Sequence, residues 1–533
     1  MDIRYAISLV LNAHLPFVEG SVRKDDANTG GAGSVAEGWF FEALSETYLP
    51  LLEVFDRLEG DHIPFRLGMS FSPLLCQMMS DAALLKKYIA YTDRQIEFGR
   101  RELERTTDRP EIYKLAKLYF DRAVDRRILF TERYGGNLLR VFDRYRRKGK
   151  IEILAAPATH AFLPLLCPYP ESLQAQIEAA VPYYRHHFGR QPQGFWLPEL
   201  GWVGGLEFCL RSYNFSYTIV DSHGFVFGKP APSRGTFHPV KTPAGLFVLA
   251  RDFYAAAALG RMAGEGPYRD NNRDVGYELA PADIGPFLAE AGERRQTGFK
   301  YWRTAFRGQA VYESETAQAA AAAHARSFLE AQYGRLADAA KHMREVPLSL
   351  CACEADSLGR FWYEGPQFLE ALFRLGAGYR EIQFITPAEY LFKQDLSALE
   401  VSTPDFSSAG FNGYAETWLD SSNDWMYRYM VRSLDRMVEL AERFPDDTGL
   451  KERSLNQAAR EILLVQSSDW PKMLYRQDST EYARGQIESA LHNFTTIYEA
   501  LGSNYISTEW LTNAERRHNV FPHINYRIFR RKR

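Results

Sequence analysis

Eight short apolar segments recur along the chain, separated by longer stretches, most of them with helical periodicity. They are "YAISLVLNAHLPF", "FRLGMSFSPLL", "IEILAAPATHAFLPLL", "GFWLPELGW", "FSYTIVDSHGFVFG", "LFVLARD", "VPLSLCACEAD" and, as a further strand, "EIQFITPAEYL". Strands that alternate with helices in this way build an α/β fold around parallel strands. Polar residues gather where the apolar segments end: His14, His160, Glu199, His223, Asp252 and Glu354. In a parallel barrel that edge carries the chemistry.

Two regions break the alternation. Residues from about 75 to 150 are charged and helical throughout, as in "AALLKKYIAYTDRQIEFGRRELERT", which predicts a helical excursion from the barrel. From about residue 430 long amphipathic helices take over ("WMYRYMVRSLDRMVELAERF", "LKERSLNQAAREILLVQSSDW", "TEYARGQIESALHNFTTIYEAL"). The predicted organisation is a barrel over residues 1–410 with a helical insertion around 75–150, followed by a helical domain over 411–533. The stretch "EGSVRKDDANTGGAGSVAEG" reads as a surface loop.

Charge and composition narrow the function. With 64 Lys and Arg against 67 Asp and Glu, the net charge of −3 provides no field for nucleic acid or a membrane surface. No uncharged apolar window of about 18 residues suggests a membrane span. The five cysteines, Cys76, Cys167, Cys209, Cys351 and Cys353, form no disulfide framework, so the expected compartment is a reducing one, the cytoplasm. The basic tail "NYRIFRRKR" reads as a solvated, frayed end.

Two segments carry candidate chemistry. In "GFWLPELGW", Glu199 ends an apolar strand between Trp196 and Trp202. It is either exposed at the strand end or held in a dry aromatic cleft, and glycoside chemistry needs the second arrangement. In "SLCACEADSLGRFWYEGP", Cys351 and Cys353 share one strand face and Glu354 the other. With Glu354 in the barrel mouth the thiols face the covering helices, as inert core rather than a metal or redox pair. His14, His160 and His223 are dispersed and lack His-x-x-x-His spacing, which argues against a metal-dependent, deacetylase-like enzyme.

The order of these motifs resembles glycoside hydrolase family 57, in its branching-enzyme and amylase-like subgroup. "NAHLPF", "ATHAFLPLL", "GFWLPELGW", "CEADSLGRFWYEGP" and "LVQSSDWP" resemble the family's five regions in sequence order. "WFFEALSETYLPLL", "DVGYEL", "TGFKYWR" and "ETWLDSSNDWMYR" resemble segments between them. The resemblance implies a (β/α)7 barrel with a helical insertion and a helical C-terminal domain. It implies a retaining double displacement on α-1,4-glucan, such as glycogen or amylose, with no metal or cofactor. Glu199 falls at the nucleophile and Glu354 at the acid/base. The resemblance places His14, His160, His223, Arg251 and Asp252 near the cleavage subsite, and Arg360 and Asp469 within its motifs. Trp196, Trp202, Trp362, Trp418, Trp425 and Trp470 are candidates for sugar stacking or for packing.

The chain departs from the family at particular places. Glu354 stands where the family has Asp, Arg360 where it has His, Asn12 where a His is common, and Ala409 where a Trp is expected. A longer carboxylate beside a fixed cation bears directly on catalysis, because an Arg360 approaching Glu354 would weaken it as an acid. Three activities fit: glucan branching by transglycosylation, glucan binding with weak or no catalysis, and hydrolysis or 4-α-glucanotransfer. Water and an acceptor hydroxyl attack the same intermediate, so sequence does not separate the last from the first.

Overall fold

The computed structural model of the chain describes residues 3–19, 34–287, 294–304 and 310–532. Among them are β1 (Tyr5–Ala13), β2 (Leu67–Phe71), β3 (Ile151–Leu154), β4 (Gly194–Phe195), β5 (Tyr217–Val220), β6 (Val240–Lys241), β7 (Phe247–Ala250), β8 (Leu348–Glu354) and β9 (Ile382–Phe384). Parallel pairing runs β3-β2-β1-β8 in one sheet and β4-β5-β7 in the other. Two narrow joints link the sheets. Ala155 bridges Phe195 after β3, and the Asp252 amide after β7 donates to the Leu350 carbonyl of β8 at 2.7 Å. The result is a ring of parallel strands, β1-β2-β3-β4-β5-β7-β8, the barrel that the sequence predicts. β9 takes the lower part of the β1 edge, at Tyr5–Ile7, below the Val10–Ala13 stretch that pairs with β2.

The barrel is filled by alternation. Ala6, Val10, Leu154, Ile219, Leu249, Leu350 and Ala352 form one buried cluster, while Ile7, Leu9, Leu11 and Cys351 belong to the core beneath the helices. Burial on both faces is why the strands read as unbroken apolar runs. On β1 and β8 the inward positions run Val10 to Asn12 and Ala352 to Glu354, and those pairs are in register. The polar residues therefore lie at the carboxyl end of the barrel, stacked on its apolar filling. Cys351 is buried, as expected. Cys353 is half-buried, and burial pushes its thiol up to about 12.

The helices Ala82–Arg105, Pro110–Ile128 and Leu138–Arg147 lie between β2 and β3, within the range the charge pattern predicts. The segment between β7 and β8 forms a second excursion, which the periodicity does not announce. It clasps the first through Gln95 Nε2 donating to Thr297 O at 2.8 Å, Tyr119 OH to Lys300 O at 2.6 Å, and Tyr301 OH to Glu102 at 2.8 Å. The helices Asp424–Arg443, Gly449–Val465, Asp469–Arg476, Thr480–Ser503 and Thr508–Arg517 follow. They seat on the barrel mouth, where Thr159 Oγ1 donates to Leu463 O at 2.6 Å and Gln176 Nε2 to Gln466 Oε1 at 2.9 Å.

Two local expectations change. Residues 20–33 of the expected surface loop lie outside the described residues. Its end is helix, because Ser34 and Glu37 form a capping box that starts Val35–Ala43. The basic tail is docked rather than frayed. Tyr526 and Phe529 are buried, Arg531 pairs with Glu171 at 3.3 Å and Lys532 with Glu178 at 2.5 Å. Carboxylates on the helix Pro170–Phe188 neutralise the charge run.

Candidate active site

A cleft of about 360 Å³ opens at the carboxyl end of the barrel. Glu199, Glu354, His14, His160, Asp469 and Lys472 line it, together with Trp39, Phe361, Arg360 and Asp356. Each arrives from a different element. His14 follows β1, His160 follows β3, Glu199 sits in the turn after β4, and Glu354 is the last residue of β8. Asp469 and Lys472 come from the first turn of the helix Asp469–Arg476.

Glu199 and His160 hold left-handed backbone, with φ of 56° and 54°. Such a conformation costs about 1–3 kcal/mol for a residue with a side chain and persists only where its surroundings impose it. The Glu199 carbonyl accepts from the Ala409 amide at 2.6 Å, and the His160 carbonyl accepts from the Ser468 amide at 3.3 Å. Segments distant in sequence thus fix both backbones. Ala409, a departure from the family pattern, supports the Glu199 backbone through its amide.

A polar row crosses three strands. Ser70 of β2, Asn12 of β1 and Glu354 of β8 are neighbours in register. Ser70 Oγ donates to Asn12 Oδ1, and Asn12 Nδ2 donates to Glu354 Oε2 at 2.9 Å. The same Asn12 amide lies 3.0 Å from His160 Nε2, whose ring also meets Ser468 Oγ through Nδ1 at 3.0 Å. Burial holds the His160 imidazole well below its usual range, with His14 and then Lys472 adding to the effect, so it is neutral. A neutral ring accepting at Nε2 carries its proton on Nδ1 and donates it to Ser468. His14 stacks on His160 with ring centroids 3.8 Å apart, and its Nε2 lies 2.9 Å from Asp469 Oδ2. Burial raises the Asp469 carboxyl, but His14 and Ser467 outweigh it and hold the group below its ordinary value.

The two candidate catalytic carboxylates have unlike surroundings. Lys472 Nζ donates to both Glu199 oxygens, at 2.9 and 3.1 Å. Burial would depress that ammonium, but Glu199 and then Glu354 hold it above its ordinary value. Glu354 is half-buried and opens onto the cleft. Desolvation pushes its carboxyl up to about 7, with Glu199 reinforcing the rise and Lys472, His14 and Asn12 opposing it. One group is held by a cation and the other retains a proton near neutrality. That separation is what a nucleophile and a proton donor require.

Arg360 does not approach Glu354 as a partner. Its Nη2 pairs with Asp356 Oδ2 at 2.9 Å, and Thr47 Oγ1 donates to Asp356 Oδ1 at 2.8 Å.

Other expected site residues sit elsewhere. Asp252 is buried and caps the helix Phe253–Glu265, accepting from Tyr254 N at 3.0 Å and Ala255 N at 3.2 Å. Its second oxygen binds Arg335 at 2.6 Å and Ser349 at 2.7 Å, so it has no free atom for a substrate. Asp221 pairs with Arg251 and faces His223 Nδ1 at 3.8 Å, while His223 Nε2 lies 2.8 Å from Gly413 O. His223 and Arg251 belong to this adjoining cluster and do not line the cleft.

Trp196, Trp202, Trp362, Trp418 and Trp470 are at most 2% exposed. Trp418 stacks on Phe162 at 4.8 Å, Trp202 Nε1 donates to Pro404 O at 3.0 Å and Trp470 Nε1 to Leu464 O at 2.8 Å. These five are packing residues, which removes them as sugar platforms. Trp425 is half-buried beneath Arg484. The aromatic rings that do line the cleft are Trp39 and Phe361, and Phe361 is 60% exposed. The sequence reading passes over both, and Lys472 with them. Among the described residues, no group of three or more His, Cys, Asp or Glu is placed to hold a metal ion.

Residues 8–261 match the family model for glycosyl hydrolase family 57, and residues 429–529 match that for the 1,4-alpha-glucan branching enzyme, C-terminal region. The chain is 33% identical to an alpha-amylase from Thermotoga maritima of known crystal structure, each covered to 100%, with a TM-score of 0.91. It is 25% identical over 506 residues to a 1,4-alpha-glucan branching enzyme of Thermococcus kodakarensis, covering 90% of this chain and 71% of the relative. A branching enzyme of Pyrococcus horikoshii, at 24% identity and a TM-score of 0.88 over 100% of this chain and 98% of its own, shares the fold. The barrel and helical regions, the ordered motifs and these matches agree: the chain belongs to glycosyl hydrolase family 57.

Proposed function

We propose that the protein is a retaining transglycosylase that cuts α-1,4-glucan and rejoins the fragment as an α-1,6 branch. Glu199 is the nucleophile and Glu354 the acid/base. The observation that carries this reading is the charge contrast within one cleft: Lys472 on both oxygens of Glu199, and a Glu354 pushed up to about 7.

In the first half, a Glu199 oxygen bonds to the anomeric carbon as the glycosidic bond breaks. Glu354 delivers its proton to the departing oxygen. In the second half, Glu354 takes the proton of an acceptor hydroxyl, whose oxygen bonds to the anomeric carbon and releases the Glu199 carboxylate. Asn12 orients Glu354 through its 2.9 Å hydrogen bond, and the His14–His160 stack forms a polar wall of the cleft. Trp39 and Phe361 offer apolar ring surface to a sugar. Arg360, engaged by Asp356, leaves Glu354 free to act, which weighs against an inactive glucan-binding relative.

Hydrolysis is the second reading, favoured by the 33% identity to an alpha-amylase. One experiment tests both. Amylose is incubated with wild type, Glu199→Gln and Glu354→Gln, and α-1,6 anomeric protons and reducing ends are counted. Branch formation without a matching rise in reducing ends is expected from wild type, with on the order of 10³-fold loss or more in Glu199→Gln. Reducing ends alone would establish hydrolysis, and a Glu199→Gln protein as active as wild type would remove Glu199 as nucleophile.

A further inference from the structure

Lys472 enters the cleft from the helix Asp469–Arg476, outside the barrel that supplies both carboxylates. Its bidentate grip orients the Glu199 carboxylate, and its charge also reaches Glu354. Among the other charged groups lining the cleft, Lys300 is held by Glu42 at 2.7 Å, and Asp478 follows the Lys472 helix by two residues. His14 is engaged by Asp469, and His160 is neutral. Burial keeps the Cys353 thiol and the Tyr48 hydroxyl protonated. Arg360 and Asp356 neutralise one another, Arg251 is paired with Asp221, and Arg476 opposes the Lys472 charge from the next turn of its own helix.

Elementary electrostatics then gives Lys472 a role that changes during the reaction. In the free protein its ammonium and the Glu199 carboxylate are in contact, so their effects on Glu354 largely offset. Forming an ester at Glu199 removes the negative charge and leaves the positive one. We propose that Lys472 is the standing charge that makes Glu354 a ready proton acceptor midway through the reaction: esterification removes the Glu199 carboxylate that offset it, and the uncompensated ammonium then favours the ionised Glu354.

This inference rests on the reading of Glu199 and Glu354 as nucleophile and acid/base. Lys472 itself exchanges no proton. The Glu354 proton leaves with the first product's hydroxyl, and the acceptor's proton replaces it as the ester bond breaks. Lys472 is a positioning residue: it acts through Glu199 and Glu354 and not on the sugar.

The test follows the Glu354 carboxyl by carbon NMR in the full chain labelled with carboxyl-¹³C glutamate, its signal assigned by its loss in Glu354→Gln. Glu199→Gln serves as a neutral stand-in for the esterified state. It is expected to lower the Glu354 midpoint. Adding Lys472→Met to Glu199→Gln is expected to raise it again by about one pH unit or more, and adding Lys472→Arg instead to leave the lowered midpoint in place. Lys472→Gln replaces the methionine variant should that one not fold. A Glu354 midpoint that ignores Lys472 in both backgrounds overturns the proposal and leaves the proposed function standing. A Glu199→Gln protein with full glucan activity would instead overturn the functional reading, because the titration needs no turnover.

Discussion

Arg360, half-buried at the cleft, pairs with the buried Asp356 at 2.9 Å, and that pairing leaves Glu354 to Asn12. The two carboxylates, two positions apart in "CEADSLGR", have separate duties. Asp356 anchors the turn after β8, and Glu354 faces the cleft.

Arg360→Gln would leave the Asp356 carboxylate buried with only Thr47 as partner. Loss of one member of a buried pair costs on the order of 3 kcal/mol. The variant is expected to unfold at lower denaturant concentration while its activity keeps the wild-type pH midpoint. An altered midpoint in a fully folded variant would mean that Arg360 acts on Glu354 after all.

The raised Glu354 carboxyl links activity and stability to pH. In its proposed role of proton donor it must be protonated, so kcat/KM is expected to fall as pH rises through about 7. Its folded value lies above its unfolded one, so the native state binds the proton more tightly. Stability therefore falls as pH climbs from the ordinary carboxylate range through about 7. Each pH unit of displacement is worth about 1.4 kcal/mol. Glu354→Gln should thus be inactive and more stable than wild type at pH 8, by up to about 3 kcal/mol, with little difference near pH 4. Urea titrations at the two pH values measure the gap, and a gap that does not widen would contradict a raised Glu354.

Asn12 supplies a donor to Glu354, approaches His160 and accepts from Ser70. Asn12→Leu keeps the branched shape and removes all three contacts. Two buried partners are left short, at a cost of about 1–3 kcal/mol. Glu354, no longer tethered, is expected to lose on the order of 100-fold in rate. Its alkaline limb should move upward, because the Asn12 hydrogen bond favours the ionised form. Thermal unfolding and a pH–rate series separate the two effects, and an unshifted limb would show that Asn12 does not govern Glu354.

The barrel is legible in the sequence because strands buried on both faces must be apolar throughout, and the residues ending them must be polar to meet the cleft. Glu199, Glu354, His14 and His160 are found by that rule. It also marks Asp252, but an Asp just before "FYAAAALGRM" equally suits a helix cap, and the cap is the role it takes. The tryptophans mislead because residue type does not distinguish a ring stacked on a sugar from one stacked on Phe162. Lys472 lies 273 positions from Glu199, in a helix whose placement depends on Thr159, Gln176 and His160 meeting residues 463–468. Nothing in the local pattern of "DWPKML" signals that meeting.

The last relationship joins the start of the chain to its helical end. His518 is buried, with Nδ1 at 2.6 Å from Glu461 and Nε2 at 3.6 Å from Glu19. Burial opposes its charge, but Glu461 and Glu19 outweigh burial and push the imidazole up to about 9. Its folded value exceeds the unfolded one, so the stabilisation is complete below about pH 6.5 and disappears as pH rises through about 9. His518→Gln is therefore expected to cost on the order of 3 kcal/mol at pH 6 and much less at pH 9.5. Chemical denaturation of both proteins at the two pH values reads this directly. A cost that stays constant across the range would assign His518 to packing and not to charge.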